Sequence, residues 1–90
     1  MRGANLTGLV LDGVSLVEAD LAHADLTGAS LNRCDLSRAI LRGADLAGCD
    51  LRGARLHGTD IELARLHETR LSLDGAVHLA ERHGAVIEVG

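Results

Sequence analysis

No Phe, Tyr, Trp, Pro or Lys occurs in the ninety residues, and each absence closes off something. Without aromatic rings there is no platform on which unpaired bases could stack. A formal charge of −4 with no run of basic residues lacks the electrostatic footprint of a phosphate-backbone binder, so direct binding of nucleic acid is not expected. No stretch approaches the roughly 20 apolar residues that a membrane helix needs, and the opening residues 1–5 (Met-Arg-Gly-Ala-Asn) lack the apolar core of a signal peptide. No membrane contact and a cytoplasmic setting are the expectation. Cysteine is scarce: Cys34 and Cys49 stand apart, with no CxxC and no histidine at ligand spacing. That pattern points to two reduced, buried thiols and away from a disulfide or zinc site. One domain is all that this length allows. A chain so short buries only about 60–65 % of its unfolded surface, so its core must be economical, and the skewed composition signals repetition.

What is there is a period of five. A large aliphatic residue recurs without a gap at Leu6, Leu11, Leu16, Leu21, Leu26, Leu31, Leu36, Leu41, Leu46, Leu51, Leu56, Ile61, Leu66 and Leu71. Neither the 3.6-residue period of a helix nor the two-residue period of a strand sustains that series. Two residues before each of these runs a second, mostly small and apolar column: Ala4, Leu9, Val14, Ala19, then Ala, Cys or Thr as far as Thr69. The column between the two is mainly polar, with Asn5, Ser15, Asp20, Asp25, Ser30, Asp35, Asp45, Asp50 and Asp60. Two residues after the leucine, glycine is frequent, at Gly8, Gly13, Gly28, Gly43, Gly48, Gly53 and Gly58, as suits a tight turn with positive φ. Each unit reads as a short extended step with two inward side chains, followed by a corner.

Runs such as residues 24–28 (Ala-Asp-Leu-Thr-Gly) and 44–48 (Ala-Asp-Leu-Ala-Gly) resemble the A(D/N)LXX motif of the pentapeptide-repeat proteins. The resemblance covers residues 4–73. It implies an all-β, right-handed, four-sided parallel β-solenoid in which four pentapeptides make one coil, so that this run supplies about three and a half coils. At a stacking distance of about 4.8 Å the rod is about 17 Å long. The aliphatic series becomes a core ladder, with Leu where many members of the family place Phe.

The frame fails after Leu71, which divides the chain into a solenoid over 1–73 and a C-terminal cap over 74–90. Asp74 is a candidate N-cap for a short helix from Ala76 to His83, with Gly84 ending it and residues 85–89 forming a final strand over the last coil. No N-terminal cap is readable, since Met1 itself sits in the central frame. An uncovered coil end exposes backbone groups and an apolar cross-section, so either the chain is a fragment or that end meets a second copy, another domain or a partner; a homo-oligomer, formed through an open solenoid end or the C-terminal cap, is the expectation.

No catalytic constellation emerges. The histidines His23, His57, His67, His78 and His83 include no two that are twenty apart, and His78 and His83 miss the i, i+4 spacing of a helical metal pair. No metal, no cofactor and no enzyme activity are expected. Serine lacks a nucleophile-elbow context, and residues 43–48 read as repeat corners, not as a phosphate loop. The carboxylates carry the binding expectation, with Asp20, Asp25 and Asp45 as the acidic candidates. In the topoisomerase-protecting branch of the family, the resemblance implies an acidic rod that imitates DNA bound by gyrase. Asp25 and Asp45, twenty apart, fall on one face as that idea requires. Against it stand Arg33, Arg38, Arg42, Arg52, Arg55, Arg65 and Arg70, which leave residues 33–73 about neutral, and a length of only some five base-pair steps. A plainer reading of the Asp column is that its side chains bond backbone at turns. The leading expectation is a non-catalytic surface that binds or scaffolds a protein partner, with a type II topoisomerase as the alternative partner.

Overall fold

A computed structural model describes residues 1–82 and the side chains as far as Val77. Its plan follows from the corners. Fourteen reverse turns succeed one another, from Ala4 N–H donating to Met1 C=O at 3.0 Å to Thr69 N–H donating to Leu66 C=O at 3.2 Å. In each, the third residue has positive φ, as a type II turn requires. Eight of these positions are glycine, whereas Glu18, His23, Arg33, Arg38, Leu63 and Glu68 adopt φ of 56–61° with a side chain attached. That conformation costs an L-residue roughly 1–2 kcal/mol, so the coil imposes its geometry even where the sequence resists.

With a corner every five residues, the chain returns above itself after four. Parallel backbone bridges join Asn5 to Asp25, Val10 to Ser30, Ser15 to Asp35, Asp20 to Ile40 and so on up the rod, each spanning twenty residues. Two short strands extend this pattern: β1 (Asp50–Leu51) and β2 (Arg70–Leu71), parallel, with Asp50 opposite Arg70 and Leu51 opposite Leu71. The architecture is a parallel β-solenoid whose sides are mostly single bridges, because each turn consumes the backbone groups that a longer strand would share.

Leu21, Leu26, Leu31, Leu36, Leu41 and Leu46 are fully enclosed, and Leu16, Leu51, Leu56 and Ile61 are buried. Leu6, Leu11 and Leu71 pack against this cluster from the two ends. Leu66 departs from the expected ladder, being 40 % exposed. Its burial depends on what is stacked above it, and among the described residues no coil lies there. Polar members of the small column are satisfied internally: the Thr59 hydroxyl donates to Leu36 C=O at 2.7 Å, Thr69 to Leu46 C=O at 2.6 Å, and the Cys34 thiol to Leu11 C=O at 2.8 Å.

The helix α1 spans Leu73–Arg82, which corrects the expected start. Ala76 N–H donates to Ser72 C=O at 2.9 Å, so Ser72 takes the cap position and Asp74 lies within the first turn, where its charge suits the helix dipole. The Ser72 hydroxyl accepts Gly53 N–H at 2.6 Å and so ties the helix start to the coil below. Gly75 sits over the rod end, where an added methyl would lie 3.4 Å from Leu56 Cδ1 and 3.9 Å from Leu71 Cδ2. The helix end expected at His83–Gly84 and the strand expected over 85–89 lie outside the described residues.

Corner strain is directly measurable at Gly28. Its φ is +69° and no atom lies within 4 Å of an added Cβ, so any penalty comes from the backbone alone. Gly28→Val is expected to cost about 1–2 kcal/mol and to lower the melting temperature by roughly 4–16 °C in a domain of this size. A melt followed by circular dichroism checks this, and an unchanged midpoint would contradict the left-handed corner.

Candidate interaction surface

The twenty-residue register sorts the outward side chains into four rows. One side carries Asn5, Asp25, Asp45 and Arg65; the next Val10, Ser30, Asp50 and Arg70; the third Ser15, Asp35 and Arg55; the fourth Asp20, Ile40 and Asp60. Asp25 and Asp45 are therefore stacked neighbours, as their spacing suggested. Asp20 belongs to a different row, so the three acidic candidates do not form one patch.

The carboxylates are also occupied. Asp20, Asp25, Asp45, Asp50 and Asp60 each accept the N–H of the residue two further on, at 3.0–3.1 Å, and Asp35 does the same with Ser37 at 3.0 Å. This is the local turn bond that Asp and Asn favour. Asp25 gains the Thr27 hydroxyl at 2.6 Å, and that bond, with the backbone one, holds its carboxyl below the usual range. The Ser37 hydroxyl does likewise for Asp35. Asp50 receives the Arg52 guanidinium through Nε at 2.9 Å and Nη2 at 2.7 Å, which brings it down to about 2.

Charged contacts between coils follow the same twenty-residue register. Arg38 meets Glu18 at 3.3 Å, Arg42 meets Glu62 at 2.9 Å, and Arg65 approaches Asp45 to 3.8 Å, each partner twenty residues away. Arg42 also lies 3.5 Å from Asp60. Exposed pairs of this kind contribute about 0–1 kcal/mol each, so their effect is to fix which charges face solvent. Asp12, a corner residue that no column singled out, accepts the Ser30 hydroxyl at 2.6 Å and Asn32 N–H at 3.1 Å from the coil above.

The histidines are dispersed. The His23 ring lies across the next coil, where a Cβ added at Gly43 would come within 2.6 Å of Nδ1, and His67 is 3.7 Å from Glu68. His57 lines a solvent-open groove of about 530 Å³ with Ser37, Arg55, Ser72 and Asp74. The side chains of His78 and His83 are outside the described set. Among the described residues no group of three His, Cys, Asp or Glu could hold a metal ion, and no helix is long and apolar enough to cross a membrane.

Comparison with known proteins matches the sequence to the family model Pentapeptide repeats (8 copies), over residues 1–38 and 29–68. Among solved structures, HetL, a pentapeptide repeat protein involved in heterocyst differentiation regulation in the cyanobacterium Nostoc, is 38 % identical with a TM-score of 0.75, over 76 % of this chain and 32 % of its own. A pentapeptide repeat protein of the Arabidopsis thaliana thylakoid lumen is 34 % identical with a TM-score of 0.77, over 79 % of this chain and 49 % of its own. The chain thus spans a third to a half of these relatives. QnrB1, a plasmid-mediated fluoroquinolone resistance protein, is 24 % identical with a TM-score of 0.50, a likeness of fold alone. No curated protein matches the chain.

Proposed function

Because the chain belongs to the pentapeptide-repeat family, we propose that it is a non-catalytic, right-handed, four-sided solenoid that presents fixed rows of side chains to a protein partner in the cytoplasm. The observation that supports this reading most directly is the register itself. Outward residues are stacked twenty apart by backbone hydrogen bonds, so a partner meets a surface whose ordering cost is already met, which favours binding. Three of the four rows end in arginine, at Arg65, Arg70 and Arg55, but Glu62 and Glu68 lie beside them and keep the upper coils about neutral, so the excess charge sits in the first coil, where Asp12, Glu18 and Asp20 outnumber Arg2. A complementary partner would be basic there.

A second reading, a topoisomerase-binding DNA mimic, draws on the stacking of Asp25 on Asp45. The proximity of Arg65 to Asp45 reduces the negative field that such a mimic needs. A gyrase supercoiling assay separates the two readings. The protein-binding module leaves supercoiling unchanged at every salt concentration. Inhibition or protection that fades with salt and with the Asp25→Lys, Asp45→Lys double variant would replace it with the mimic.

A further inference from the structure

We draw no further inference here: the strongest candidate, the solvent-open groove between the third coil and the start of α1, sets the charge of Arg55 against that of Asp74 along its lining, and nothing in the structure shows what covers it.

Discussion

Leu41→Asp is expected to abolish folding. Leu41 has no exposed surface and lies in the middle of the ladder, with Leu21 below and Ile61 above in the same phase. The substitution removes a buried aliphatic side chain, worth about 2–5 kcal/mol when truncated, and leaves a carboxyl without a partner, which costs several kcal/mol more. A domain of this length has a total stability of roughly 5–13 kcal/mol, so the sum is comparable with everything that holds it together. The β circular dichroism and the cooperative melt should both disappear. Leu66→Asp is the control. Its position in the sequence frame is identical, but 40 % of the residue is exposed, and that variant should still melt cooperatively. Equal damage from both would mean that the end of the rod is covered; no damage from either would mean that the inward column is misassigned.

The two thiols should be almost inert while the chain is folded. Cys34 and Cys49 are free and fully buried. Burial pushes the Cys49 thiol up to about 12 and raises Cys34 as well. Since the thiolate is the reactive form, a pKa of about 12 in place of about 9 lowers its population near pH 8 by roughly a thousandfold. Labelling by a disulfide reagent should therefore be slower by about that factor than in the unfolded chain, and should accelerate in denaturant along with the loss of circular dichroism. Rapid labelling of the native protein would show that the interior opens locally. The same shift has a consequence for alkaline stability. The contribution from a raised thiol pKa is complete below about pH 9 and is lost as the pH rises toward about 12, because the unfolded chain ionises first. The melting temperature should fall across that window, and Cys49→Ala should flatten the fall.

The family, the five-residue period and the inward columns were legible because each is written in residue type at fixed spacing. Corners were legible only where glycine stood. At Glu18, His23, Arg33, Arg38, Leu63 and Glu68 no local preference announces a left-handed turn; cooperation with the neighbouring coils enforces it. Leu66 was misjudged for a related reason, since burial at a rod end is set by what lies above the residue and not by the residue itself. The acidic candidates show a third limit. Asp25 and Asp45 were paired correctly by counting twenty, while Asp20 was grouped with them by charge alone, and the coil length separates it. The turn bonding of the whole Asp column was available as the plainer reading of the same residues. The helix start moved from Asp74 to Ser72 because both are good capping residues, and the tie from the Ser72 hydroxyl to Gly53 links positions nineteen apart.

The twenty-residue register also constrains how such a chain can vary in length. Removing one pentapeptide, such as residues 36–40, keeps leucine over leucine throughout the interior, yet it rotates everything downstream by a quarter turn, so that Asp50 comes to lie over Asp25, Arg55 over Ser30 and Asp45 over Asp20. Removing four shortens the rod and leaves every row aligned. Insertions and deletions in multiples of five can therefore reshuffle the exterior without touching the core, whereas any other length breaks both.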